Sequence, residues 1–335
     1  MDVFALTRKL MDIESTTGME GAVGQALATE LTQLGYNVDR IPVEGDRFDI
    51  WATHPQHLKP ELALSTHMDT VPPFIPSSET PDRIYGRGSC DAKGIIVAQI
   101  AAAEKLKAED IHVGLLFLVG EERDSQGAQT ANLQPRGVKS LINGEPTENR
   151  LAVASKGTLR VELVASGKMA HSAYPELGES AIEKLLDALQ SVRKLKLPTN
   201  PKAGPCTLNI GQIEGGRAPN VIPDRAVAQL LFRLVGPAEE LRRQITEAVA
   251  GKGEAQFKLE IPFVELGTVP DIPTMIAAFT TDIPALTRWG TPLLIGPGSI
   301  HVAHTDGEYI EKAQLLDAID LYARIARHLL QPSQE

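Results

Sequence analysis

The 335-residue sequence predicts an α/β protein: a mostly parallel sheet with helices on both faces, interrupted by an inserted β-α-β-β-α-β domain. Three observations predict it. Strand-length apolar runs alternate with helix-period segments through the first 150 residues, the grammar of a parallel sheet. The run at 113–119 is apolar throughout, as expected of a strand buried on both faces. After about residue 156 the pattern changes to cleanly alternating strands and amphipathic helices. A chain of this length is expected to form two domains, or one domain with a large insertion.

The elements follow in order. Residues 20–34 have helical periodicity and stop at Gly35, a natural helix terminator. Residues 37–43 and 48–52 read as strands, and 61–66 as a short apolar strand ending at His67. A helix is expected from about 92 to 107, and further strands at 113–119 and 138–143. In the insert, Leu159, Val161 and Leu163 alternate with Arg160 and Glu162, which reads as a half-exposed strand. A helix over 179–195, strands over 207–213 and 226–235, a proline-started helix over 237–250 and a strand over 257–264 complete it. That order is ferredoxin-like. The expected division is therefore 1–156 with 266–335 as one domain and 157–265 as the insert. The tail carries the loop Gly296-Pro297-Gly298 and a final helix near 315–330.

Composition narrows the function classes. Hydrophobic residues are 42% and charged residues 23%, ordinary for a soluble globular protein. A net charge of −10 argues against nucleic acid or an anionic membrane as the main partner. Two cysteines, Cys90 and Cys206, supply neither a disulfide framework nor a thiolate zinc site, and they fit a reducing compartment. The N-terminus lacks the apolar core of a signal peptide, and the apolar runs are too short to span a bilayer. A cytoplasmic protein is expected.

The residues that carry chemistry stand at the expected strand ends. His67 and Asp69 follow one strand, Glu121 and Glu122 another, Glu145 a third, and Asp91 sits in a loop entering a helix. Open parallel sheets bind ligands beyond the carboxyl ends of their strands, so these groups should converge. Imidazole and carboxylate are the usual non-thiolate zinc ligands. Two ions roughly 3.5–4 Å apart need a bridging group and further ligands at each ion. His67, Asp91, Glu122, Glu145 and His304 meet that requirement, and Asp91 can bridge with its two oxygens. The adjacent acids Glu121 and Glu122 have a physical reason if one is a ligand and the other a general base. Asp69, two residues after His67, is placed to orient its ring.

The segments His67-Met-Asp-Thr-Val-Pro72, Gly86-Arg-Gly-Ser-Cys-Asp-Ala-Lys-Gly94, Gly120-Glu-Glu122 and Gly144-Glu-Pro-Thr147 form an ordered motif set. With Ala303-His304 and Glu308-Tyr309, that set resembles the acetylornithine deacetylase, succinyl-diaminopimelate desuccinylase and glutamate carboxypeptidase family of co-catalytic zinc hydrolases. The resemblance covers most of the chain. It implies two Zn2+ (Co2+ or Mn2+ would fit the same ligands), bridged by Asp91. It pairs His67 with Glu145 at one ion and Glu122 with His304 at the other, and makes Glu121 the base. It also implies a homodimer through the insert. There His171, in Gly167-Lys-Met-Ala-His171, would reach a partner subunit's site and hold the oxyanion. Asn220 and Arg233 would contact substrate, and Gly298 would bring backbone close to it.

On these grounds the expected substrate is a small N-acyl amino acid of the acetylornithine or acetyl-lysine type, with a dipeptidase or carboxypeptidase as the alternative. An inactive metal-binding regulatory protein is the alternative of another class. Plainer readings exist for single residues. Asp91 alone would serve as a helix N-cap, and Glu121-Glu122 alone as a solvated acidic turn. His301 competes with His304 as ligand. Cys90 reads as a small packed residue. His54, His57, His112 and His328 read as surface residues without partners.

Overall fold

A computed structural model describes residues 1–331. Two compact units divide the chain: Met1–Val153 with Leu266–Met275 and Thr281–Glu335, and Ala154–Glu265 with Ile276–Thr280. The first contains a six-stranded sheet. Its central strand, Leu62–His67, lies between Gly114–Leu118 and Ser140–Asn143, and Thr291–Leu294 flanks the latter. All of these pair in parallel, while the hairpin Asn37–Glu44 and Arg47–Thr53 adds an antiparallel edge.

The unbroken apolar run is explained by burial on both faces. Leu115 and Phe117 join a core with the helices Val3–Met11, Gly21–Gln33, Lys93–Lys107 and Lys312–Leu330. Leu116 and Leu118 point the other way, into a smaller core with Trp51, Trp289 and Ala128 of the helix Gln126–Leu133. Alternate side chains of a strand must face opposite sides, so a two-faced sheet demands an apolar residue at every position. The helix Gln126–Leu133 carries Gly, Gln, Thr and Asn and has little apolar periodicity, which is why sequence patterning passes over it. The final helix begins at Lys312, three residues earlier than expected.

The second unit has a four-stranded antiparallel sheet in the order Thr207–Gly215, Arg225–Leu234, Gly157–Ser166, Glu254–Ile261. The helices Ala181–Arg193 and Glu239–Val249 supply Leu185, Leu189, Leu241 and Ile245 to the core beneath it. The topology is the expected ferredoxin-like one. The segment 276–280 also belongs to this unit: Ser155 Oγ donates to the Phe279 carbonyl and the Lys156 amide to that of Ala277. Among the described residues, no helix is long and apolar enough to cross a membrane.

Candidate metal centre

Parallel strands place their carboxyl ends on one edge of the sheet, and the acids named above gather there. His67 is the last residue of its strand, Glu121 and Glu122 follow Gly114–Leu118, and Glu145 follows Ser140–Asn143. Two ligand groups result. The ligand atoms of His67, Asp91 and Glu145 lie within 4.8 Å of one another, as do those of Asp91, Glu122 and His304. Asp91 is common to both. Its Oδ1 meets His67 Nε2 at 2.9 Å, and its Oδ2 lies 3.3 Å from His304 Nε2. His304 Nε2 also lies 3.0 Å from Glu122 Oε2. Glu121 joins His67 and Glu122 in a third group of the same tightness.

The electrostatics ask for a cation. Asp91, Glu121, Glu122 and Glu145 are four carboxylates with His67 and His304 among them. Burial, then the neighbouring Glu145 carboxylate, pushes Glu121 well above the usual carboxylate range. Burial raises Glu145 in the same way, and its Oε1 is buried with no hydrogen-bond partner. Burial alone would depress His67, but its contacts with Asp69 and Asp91 outweigh that and raise it. Beside Asp91 and Glu122, His304 is pushed up to about 10. Buried like charges and an orphaned carboxylate oxygen are costly unless a cation compensates them. The donor set of carboxylate and imidazole suits divalent transition ions. The residues therefore fit a two-ion site with Asp91 shared.

Several neighbours take roles other than those expected. His67 Nδ1 meets the backbone carbonyl of Asp69 at 3.0 Å, whereas the Asp69 carboxylate is 3.5 Å away. That carboxylate instead accepts from the amides of Glu121 (3.1 Å) and Glu122 (3.2 Å) and from Thr17 Oγ1 (2.8 Å). Asp69 thus serves the acidic loop as well as the histidine ring. Asp91 does not cap the following helix; the helix cap is Ala92, with no side-chain hydrogen bond. Its position is set by Glu308, which accepts from the amides of Cys90 and Asp91 and is itself held by Arg87 Nη1 at 2.6 Å. Both members of this ion pair are buried. Arg87 and Glu308 stand in the motif segments, but no local pattern pairs residues 221 positions apart.

The remaining site residues divide. Gly298 has φ +89°, and a side chain there would run into Cys90 Cβ, next to Asp91. Cys90 is fully buried, as a packed residue should be. His301 is exposed and stands apart from both ligand groups. In the second unit, the exposed His171 pairs with the half-buried Val221 across a short ladder, and the Ser172 amide donates to the Asn220 carbonyl. His171 and Asn220 therefore share one corner. Arg233 lies near the far end of its strand from Arg225, whose partner is Ser166, and donates from Nη1 to Thr158 Oγ1. Eight residues of strand separate Arg233 from Arg225, roughly 25 Å, so the structure does not bring Arg233 to that corner. His54, His57 and His112, expected to be isolated on the surface, are brought together instead.

Residues 153–276 match the family described as Peptidase dimerisation domain. A probable carboxypeptidase of Neosartorya fischeri is 39% identical, covering 97% of this chain and 86% of the relative. A peptidase M20 domain-containing protein of Schizosaccharomyces pombe is 36% identical, covering 98% and 85%. The crystal structure of aminopeptidase PepT from Bacillus cereus superposes with a TM-score of 0.83 at 20% identity, covering 98% of each chain, a likeness of fold.

Proposed function

The chain belongs to the M20 peptidase family, and on that premise we propose that it hydrolyses the amide bond of a short peptide, as a carboxypeptidase or dipeptidase. The observation that carries this reading is the pair of ligand groups sharing Asp91 with Glu121 beside them. A protein that only stored metal would have no use for the extra acid. The peptidase reading is preferred to the N-acyl amino acid deacetylase reading because it agrees with the names of the two relatives.

His67 and Glu145 would hold one divalent ion, Glu122 and His304 the other, with Asp91 common to both. Zinc suits this donor set, and Co2+ or Mn2+ would occupy it too. Ions bound there supply Lewis acidity, acidifying water and polarising a carbonyl. Glu121 takes the proton of the attacking water and returns it to the leaving amine. The Asp69 carboxylate, through the amides of Glu121 and Glu122, keeps that base aimed. The 1–156 and 266–335 segments form the catalytic part. The 157–265 insert, which falls within the dimerisation-domain match, is the homodimer contact. His171 of the partner subunit would then stand against the developing oxyanion, a donor worth about 3 kcal/mol. Asn220, which shares the His171 corner, then contacts the substrate, and Gly298 keeps backbone near it.

A substrate panel tests the reading. The metal-loaded enzyme is offered dipeptides, C-terminally blocked peptides, acetylornithine, acetyl-lysine and succinyl-diaminopimelate. Turnover is expected with peptides bearing a free C-terminal carboxylate. Turnover confined to acyl amino acids would overturn it in favour of the deacetylase.

A further inference from the structure

Three histidines that the hydrolytic chemistry leaves unused converge at the other end of the sheet. His54 and His57 lie just after the strand Arg47–Thr53, and His112 just before Gly114–Leu118. The metal centre stands at the carboxyl end of that second strand, so some five residues, roughly 17 Å of extended chain, separate the two places. The ring of His112 lies 3.9 Å from that of His57 and 4.3 Å from that of His54, centroid to centroid. One ring nitrogen from each histidine falls within 4.8 Å of the others.

The details favour a ligand over simple stacking. The His112 side chain is only 8% exposed, yet its Nδ1 is buried without a hydrogen-bond partner. Its Nε2 lies 3.1 Å from Asp110 Oδ1. A carboxylate on one ring nitrogen fixes the tautomer and leaves a lone pair on the other, the arrangement that supports metal-ligating histidines. His54 is half-buried, its Nδ1 accepting from the Gln56 amide at 3.3 Å, and His57 is exposed; both stand in a connecting segment. An open cavity of about 700 Å³, lined in part by His57, Asp110 and His112, leaves room for an ion and its waters.

We propose that His54, His57 and His112 form a separate three-histidine site for a nitrogen-preferring transition ion such as Zn2+, Ni2+ or Cu2+, clipping the 54–57 segment to the 110–112 turn. Imidazole nitrogens bind such ions at about 2.0–2.1 Å, so the rings of His54 and His57, each stacked on His112, turn edge-on as the ion enters.

The test uses the full chain, already loaded at its metal centre, as wild type and as His54→Gln/His57→Gln. Ni2+ is titrated in, and metal per chain is counted after desalting. Cu2+ is added in parallel and nitrogen couplings are read by electron paramagnetic resonance. Wild type should retain about one more ion than the double variant, show coupling to several imidazole nitrogens that the variant lacks, and gain thermal stability with Ni2+. Peptide hydrolysis should be equal in both, which establishes that the variant is folded. If it is not folded, the single His57→Asn variant replaces it, with affinity expected to fall at least about tenfold. Equal metal content and equal nitrogen coupling in wild type and a folded variant would overturn the proposal.

Discussion

At the scale of single residues, the candidate site depends on groups that do not touch the metals. Glu308 takes the amides of Cys90 and Asp91, and Arg87 neutralises it in a buried pair. Removing one partner leaves the other charge buried, at about 3–5 kcal/mol. Glu308→Ala should therefore lower the melting temperature and weaken metal retention about 10- to 100-fold, measured by calorimetry and by competition with a chelator. Unchanged metal affinity would mean that the Asp91 loop is held by something else. Asp49 offers a pH test. Its carboxyl is buried, and burial raises its pKa well above the usual aspartate value, although Oδ1 accepts from the Val119 amide. An acid with a raised folded pKa stabilises the fold when protonated. That contribution is lost as pH rises from the unfolded value, about 3.9, through the folded one. Asp49→Asn keeps the acceptor and removes the charge. Its melting temperature should fall less than that of wild type between pH 5 and pH 8, by about a few degrees. Parallel pH profiles would contradict this.

At the scale of elements, much was legible. Continuous apolar strands and strand-end acids follow from a sheet covered on both faces, and the run 113–119 announced one directly. Alternation in Leu159, Val161 and Leu163 announced the other kind of sheet. The sequence did not announce what depends on distant pairing. The Asp69 carboxylate turned out to serve the Glu121–Glu122 amides, because a side chain two residues along a turn can face either way. The histidine trio joins residues 54 and 57 to 112 through the pairing of neighbouring strands, which no local periodicity encodes. The loop at Gly298 gives a further prediction. A side chain there meets both a left-handed backbone and Cys90 Cβ, so Gly298→Ala should cost about 1–3 kcal/mol. It should also raise the KM for peptide more than Gly307→Ala, where nothing lies within 4 Å of the added carbon. Equal effects at the two glycines would contradict the claim that Gly298 is confined.

At the scale of the whole molecule, the sequence divides its labour. One unit carries all five candidate ligands and the candidate base. The other has its own core and sheet and matches the dimerisation family. The expected deacetylase rested on tail residues around Gly296–His304. Relatives over nearly the whole chain shift the reading to a peptidase, since the same metal chemistry serves both and only the substrate pocket separates them. The inactive metal binder remains the contrasting account, and Glu121 separates it from an enzyme. The most direct measurement is metal content and peptide hydrolysis of wild type and Glu121→Gln side by side. Both proteins should hold the same metal, about two ions per chain at the Asp91-centred site, with hydrolysis reduced about 100-fold or more in the variant. Equal hydrolysis by the two proteins, or two bound ions in a wild type that hydrolyses no amide, would contradict it.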